Sequence, residues 1–152
     1  MTAEEMWALS GLQGPYEAWA FGDDADELAC LVLIGRKTAT ASAYPLYAIE
    51  GEPLPQAGEY SVILNGSGQA VCIIQTTHVT VLPFDQVPSS HAAREGEGDL
   101  SLAAWRQTHR AFFTREMAAS GLSFTDDMPV VCEEFIRVFP VSAACADAPS
   151  ML

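Results

Sequence analysis

The sequence has few cations and is strongly acidic. Only seven residues are lysine or arginine, against twenty aspartates and glutamates, and the formal net charge is −13. A protein that holds long nucleic acid by its phosphates needs a basic face, because counterion release supplies much of that affinity. The charge therefore excludes non-specific binding to duplex DNA. The charge remains compatible with a small ligand, or with a few nucleotides bound at one local cationic site.

Hydrophobic runs long enough to cross a membrane are also missing. The best candidate, residues 28–34, is seven residues long, whereas a membrane-spanning helix needs about 20. The acidic first five residues lack the basic-then-apolar pattern of a secretory signal. We therefore expect no membrane partner and a cytoplasmic protein.

The cysteines and histidines show no metal-binding pattern. Four cysteines lie far apart, without a Cys-x-x-Cys pair, and the three histidines have no ligand spacing relative to them. Zinc and disulfide interpretations are therefore disfavoured. We expect buried reduced thiols, no metal site and no cofactor.

Periodicity and turn residues predict one domain over residues 1–140, followed by a loose tail over 141–152. Aspartates and a closing glycine predict a helix over 23–35, and Ser101 opens a second helix that ends near Gly121. Asn65 and the glycines after it predict a tight hairpin. Strands are predicted over 60–64, 70–82 and 130–139, and an extended segment over 38–42. This order predicts an α+β fold with a partly closed mixed β-barrel and flanking helices.

Lys37 is the only lysine in the chain, at the place where the first predicted helix ends. Thr40 lies three residues further on, in the extended segment, and Thr38 and Ser42 share its strand face. The hydroxyls and the single ammonium together form a polar stripe where a barrel interior normally has apolar groups. Two structural explanations remain open: a lysine that closes a helix, and an exposed edge strand rich in threonine.

A second polar concentration covers residues 94–99, where two glycines separate three acids. Helix capping explains Asp99, but it explains Glu95 and Glu97 less well. A carboxylate near Lys37 and Thr40 would complete a nucleophile site. The threonine would attack, the amine would accept its proton, and the carboxylate would orient or shuttle protons.

Aromatic and basic side chains supply candidate ligand contacts. Phe21 and Tyr44 flank the Lys37 segment, and either ring could stack on a nucleobase. Arg106 could contact a phosphate together with Arg110, which lies one helical turn away, although salt bridges to nearby acids are the alternative. Core packing is the favoured role of Trp105.

The chain resembles the ASCH domain, a relative of the PUA fold, in its longer bacterial-type branch. The resemblance covers roughly residues 16–139 and includes the Gly-x-Lys-Thr-x-Thr motif at 35–40. It is also carried, in order, by segments 19–22, 25–29, 50–55, 71–74, 95–99, Trp105 and 129–133. The resemblance implies a PUA-like β-barrel with a cleft that contains Lys37.

The resemblance also implies a function at this cleft. ASCH proteins were proposed to bind RNA, a shorter branch removes the acetyl group from acetylcytidine, and another member is a ribonuclease. The deacetylating branch uses the motif lysine, its second threonine and a glutamate, which correspond here to Lys37, Thr40 and either Glu95 or Glu97. Counting from His91 favours Glu95. We expect a nucleoside or short single-stranded RNA as ligand, acted on by an amidohydrolase, with an RNA-binding module, a ribonuclease or a purely structural protein as alternatives. The sequence predicts no particular oligomeric state.

Overall fold

A five-stranded mixed sheet, curled into a half-barrel, organises the protein. The computed structural model describes residues 1–141, so the predicted tail lies outside the described residues except for Val141. The strands are β1 (Glu17–Ala20), β2 (Ala39–Ala43), β3 (Tyr60–Leu64), β4 (Ala70–Pro83) and β5 (Pro129–Phe139). The helices are α1 (Ala3–Ser10), α2 (Ala25–Leu33), α3 (Tyr44–Glu50), α4 (Ser89–Glu95) and α5 (Leu102–Ala119), with a 3₁₀ turn at Phe84–Gln86.

The strand order is β1-β3-β4-β5-β2. β1 runs parallel to β3, and the other neighbouring pairs are antiparallel. β4 is 14 residues long and pairs with β3 on one side and β5 on the other. Its register against β5 shifts between Thr76 and His78, and such bulges bend a strand. The predicted α+β fold with a partly closed mixed sheet and flanking helices is confirmed.

Local sequence signals explain the two best-predicted elements. In the β3–β4 hairpin, the Asn65 side chain accepts hydrogen bonds from the backbone N–H groups of Ser67 and Gln69. Helix α5 begins after Ser101, whose hydroxyl accepts from the backbone N–H of Ala104. Both predictions are confirmed. Among residues 1–141, no helix is long and apolar enough to cross a membrane.

Four short elements were not predicted: α1, β1, α3 and α4. Helix α3 starts directly after β2 with Pro45 in its first turn, a position that tolerates proline because its missing N–H has no helical partner there. Helix α4 includes the first two residues of the acidic segment 94–99, and Glu95 is its last residue. This matters for the site, because a helix holds Glu95 in a fixed direction.

The cysteines only partly follow expectation. Cys72 and Cys132 are buried free thiols, and burial raises the pKa of each to about 12, so both stay protonated and unreactive. Cys30 is disulfide-bonded, so the expectation of a reduced thiol is wrong there, because spacing along a chain does not report distance in the fold. Cys145 lies outside the described residues.

Candidate functional site

Lys37 lies in the segment that connects α2 to β2, and its side chain is buried. Gly35, which follows the C-terminal cap of α2, has a φ of 82°, and Lys37 lies two residues further on with only 1% of its surface exposed. Its ammonium donates to the backbone carbonyl of Glu95 at 3.3 Å and to Glu95 Oε1 at 3.0 Å. It also donates to Glu97 Oε2 at 2.7 Å. A lysine ammonium has three hydrogens, and here each one has an acceptor.

Glu95 is the centre of this network. Its Oε2 accepts from His91 Nε2 at 2.8 Å and from Trp105 Nε1 at 2.7 Å, and its Oε1 lies 3.4 Å from His109 Nε2. Burial alone would raise the pKa of Glu95, but the charge of Lys37 and the hydrogen bonds from His109 and His91 lower it well below its usual value. Glu95 is therefore a carboxylate, and its four acceptor positions are occupied.

His109 completes the arrangement, which we call the Lys37 cluster: Lys37, His91, Glu95, Glu97, Trp105 and His109. Burial opposes the charged form of His109, but its contact with Glu95 outweighs this and raises the pKa of the imidazole. Glu97 differs from Glu95 because 27% of its side chain is exposed. The structure thus brings both candidate glutamates to Lys37, one buried and one at the edge.

The Lys37 cluster also contains the residues best placed for a cation. Glu95, Glu97 and His109 offer three ligand atoms within 4.8 Å of one another. The Lys37 ammonium already lies against both carboxylates and compensates their charge. A divalent ion would have to displace it, so we do not assign a metal site here.

Gly96 permits the close approach between α4 and Lys37. It caps α4 with a φ of 70°, and a Cβ there would lie 2.4 Å from the backbone oxygen of Arg36. We expect Gly96→Ala to lower the free energy of unfolding by about 2 kcal/mol or more, measured by urea denaturation, because left-handed backbone and a clash add together. Gly98→Ala is the matched control, since its φ is 59° but nothing lies within 4 Å. Equal losses in the two variants would contradict the clash.

A cavity of about 460 Å³, which we call the cleft, lies next to the cluster. Thr40 and Ser42 of β2 line it, together with residues of β1, β3, β4, β5 and α5. Its apolar walls are aromatic, formed by Trp19, Phe21, Tyr47 and Phe112. Phe21 connects the cleft to the cluster, because the Lys37 ammonium lies 5.3 Å from its ring centroid, a favourable cation–π distance.

The Thr40 hydroxyl is available for chemistry. Within residues 1–141 it makes no hydrogen bond, and none joins it to Lys37. The residue directly opposite Thr40 on the neighbouring strand is Glu133, which also lines the cleft. Directly opposed side chains project from the same face of a sheet, with Cβ atoms about 4.5–5.5 Å apart. Glu133 is therefore the residue that places a carboxyl directly opposite Thr40 on the neighbouring strand.

Glu133 is an unusual carboxyl. It is 9% exposed, and its one hydrogen-bond partner among the described residues is the Thr76 hydroxyl, which donates to Oε2 at 3.4 Å. Burial raises the pKa of Glu133 to about 7, the Thr76 hydrogen bond opposes that rise, and the charges of Glu59 and Glu17 add to it. Near neutral pH this side chain can both accept and donate a proton.

The predicted ligand contacts divide into two groups. Phe21 and Ser42 line the cleft, and the Ser42 hydroxyl lies 2.7 Å from that of Tyr47. Thr38, Tyr44 and Arg106 are not among the residues that line it. Thr38 precedes β2 and donates to the Arg94 carbonyl at 3.4 Å, and Tyr44 is 41% exposed at the start of α3. Arg106 donates to the Asp85 carbonyl at 3.1 Å.

Sequence reasoning missed the acids of the cleft. Six glutamates and no lysine, arginine or histidine are among its lining residues: Glu17, Glu50, Glu52, Glu59, Glu116 and Glu133. One signal was present. Adjacent residues of a strand face opposite sides, so one of Glu133 and Glu134 had to point inward from β5. Glu134 pairs with Arg94 at 3.5 Å, and Glu133 faces the cleft.

Comparisons with known proteins agree on one family. A family model described as an ASCH domain matches residues 17–139. A crystal structure of an ASCH domain from Lactobacillus crispatus is 35% identical, with a TM-score of 0.83, covering 89% of this chain and 92% of that one. A protein from Enterococcus faecalis is 36% identical, with a TM-score of 0.78, covering 88% of this chain and 86% of that one. No curated protein matches the sequence.

Proposed function

This chain belongs to the ASCH domain family, whose PUA-like α+β fold it shares, and from that premise we propose that its cleft binds a nucleoside or RNA-like ligand by the base and removes an acyl group from it. The reaction is an amidohydrolysis of an acylated cytidine-type nucleoside. One observation carries the proposal: the unpaired hydroxyl of Thr40 lies in the wall of an aromatic cleft, three residues from a buried lysine cluster.

The size and walls of the cleft suit a nucleobase. Its volume of about 460 Å³ falls within the usual range of about 300–1,000 Å³ for small-molecule sites. Trp19, Phe21, Tyr47 and Phe112 provide flat apolar surfaces, and stacking of a base on an aromatic ring is worth about 1–3 kcal/mol. Ser42 and Thr76 add hydroxyls that can hydrogen-bond the polar edge of a base.

The charge of the cleft favours a neutral nucleoside over a phosphorylated ligand. Six glutamates and no lysine or arginine line it, so the negative charge of a phosphate would be repelled in a site where water screens charge only partly. This weakens the alternative of an RNA-binding module or ribonuclease that grips the sugar–phosphate backbone. Short single-stranded RNA would have to present an unstacked base while its phosphates stay in solvent.

In the proposed reaction, Thr40 Oγ attacks the acyl carbonyl carbon and forms a tetrahedral intermediate. The Lys37 cluster fixes the start of β2, and its ammonium places a positive charge beside the cleft. Lys37 can accept a proton only after losing one of its three hydrogen-bonded protons, so its role as base stays a prediction. Glu95 and Glu97 hold Lys37 by direct contacts, and their catalytic role likewise stays a prediction.

Turnover of N4-acetylcytidine tests the proposal. We expect purified protein to release cytidine and acetate, and Thr40→Val to lower kcat about a thousandfold or more, because the nucleophile is removed with little change in shape. Thr80→Val is the matched control, since Thr80 is an exposed threonine of the same sheet and should leave turnover unchanged. Binding of cytidine without turnover would favour the binding module. If the protein shows no binding of cytidine and no turnover of N4-acetylcytidine, the proposal is refuted.

A further inference from the structure

Among the described residues, no hydrogen bond identifies the base that takes the proton of Thr40 in the proposed reaction. A threonine hydroxyl is a weak nucleophile until a neighbouring group takes its proton. The Lys37 ammonium donates to three acceptors, two of them carboxylates, and an ammonium has no lone pair with which to accept a proton. Within residues 1–141 no hydrogen bond joins Lys37 to Thr40. A different group in the cleft must therefore be considered.

We propose that Glu133 is the acid–base residue of the Thr40 reaction, taking the hydroxyl proton and returning it to the leaving amine. The inference rests on the proposed function. Glu133 is the direct cross-strand partner of Thr40, lies on the same side of the sheet, and lines the same cleft. The Thr76 hydroxyl contacts only its Oε2, which leaves Oε1 for a proton of Thr40 or of the ligand.

Titratable groups from several elements line the same cleft as this carboxyl. Glu17 of β1, Glu59 ahead of β3, Glu50 and Tyr47 of α3, Glu52 after it, and Glu116 of α5 face the same space. None of these groups is a cation, so none stabilises the charged form. Burial and the charges of Glu59 and Glu17 raise the pKa of Glu133 to about 7, the range in which a group transfers protons in both directions efficiently.

The step balances within the cleft. As Thr40 Oγ bonds to the acyl carbon, its proton passes to the Glu133 carboxylate. When the C–N bond breaks, the protonated Glu133 gives that proton to the leaving amine, and the acyl group remains as an ester of Thr40. Water then attacks the ester, Glu133 takes one proton from it, and that proton restores the Thr40 hydroxyl as the acid is released. The net reaction is hydrolysis of an amide.

The first test is the pH dependence of kcat/KM for N4-acetylcytidine in wild type, Glu133→Gln and Glu134→Gln. We expect wild-type activity to rise through a pKa of about 7. Glu133→Gln should lower kcat about 100-fold or more and remove that rise. Glu134→Gln makes the same charge change on the opposite face of β5 and should alter neither kcat nor the pH-dependent rise. A Glu133→Gln enzyme that keeps both the rate and the pH profile of the wild type overturns the inference.

A second test separates this inference from the choice of substrate. The proteins are incubated with p-nitrophenyl acetate, and acetylation of Thr40 is measured by peptide mass spectrometry against pH. Without turnover of acetylcytidine the proposed function fails, but acetylation of Thr40 that rises near pH 7 and drops about 100-fold in Glu133→Gln sustains the inference. Absent acetylation in wild type, or equal acetylation in Glu133→Gln, overturns it. Glu133→Asp, which keeps a carboxylate, should retain part of the rate and the pH step.

Discussion

Replacing Lys37 by methionine is expected to lower the free energy of unfolding by about 3–5 kcal/mol, because the variant leaves the buried carboxylate of Glu95 without its main counter-charge. Both side chains are 1% exposed, so water cannot take over the role of the ammonium. Methionine has a similar length and keeps the apolar contacts of the lysine stem. Urea denaturation of wild type and variant at pH 7 measures the loss.

Two companion variants make this prediction specific. Arg36→Met removes the neighbouring, exposed cation and should change stability by about half a kcal/mol or less. Lys37→Met combined with Glu95→Gln should be more stable than Lys37→Met alone, because the uncompensated charge is gone. If Lys37→Met unfolds at the wild-type urea concentration, the ammonium is not the group that stabilises Glu95 in the folded protein.

The acid limb of the stability curve gives an independent check of the same pair. The pKa of Glu95 in the folded protein is well below its ordinary value of 4.5. A carboxyl with a lowered pKa contributes stability that is present above the unfolded-state pKa and is lost as pH falls through the folded-state pKa. We expect Lys37→Met to show a smaller loss on acidification below pH 4.5 than wild type.

The elements that the sequence predicted correctly are those with strong local signals. The Asn65 turn and helix α5, with its N-cap and apolar face, are determined by residues that lie close together in the sequence. Helices α3 and α4 have seven residues each, and helices that short have little intrinsic stability in water. They form because tertiary packing covers one side, as with Leu46 of α3 and Ala92 of α4 in the core. Such elements leave only a weak periodic pattern.

The same distinction applies to the site. The sequence identified Lys37 from its solitary charge and its position after a helix, and both Glu95 and Glu97 as acids without a local explanation. Their contacts join positions 58 and 60 apart in the chain, so only the fold could show that they meet. Strand β2 places Thr40 in the lining of the cleft, and among the described residues no hydrogen bond joins its hydroxyl to the Lys37 ammonium, which the three-residue spacing could not predict.

Glu133→Gln is expected to stabilise the protein by about 3 kcal/mol at pH 8 and to leave its stability nearly unchanged at pH 4. The folded-state pKa of Glu133 is about 7, raised from 4.5 mainly by burial. As pH rises from about 4.5 to 7, the unfolded chain releases this proton while the folded protein keeps it, so wild-type stability falls across that window. Glutamine keeps the shape of the protonated acid and carries no charge to desolvate.

The measurement is the difference in the free energy of unfolding between variant and wild type, taken from urea titrations at several pH values from 4 to 8. Groups present in both proteins, such as Glu95 and Glu116, largely cancel in this difference. It should rise between pH 4.5 and 7 and level off above, whereas the difference for Glu134→Gln, a half-exposed neighbour on the other face of the strand, should stay flat. A flat difference for Glu133→Gln would mean that the carboxyl is ionised at neutral pH without cost, and the proposed proton transfer between Glu133 and Thr40 would then lose its support.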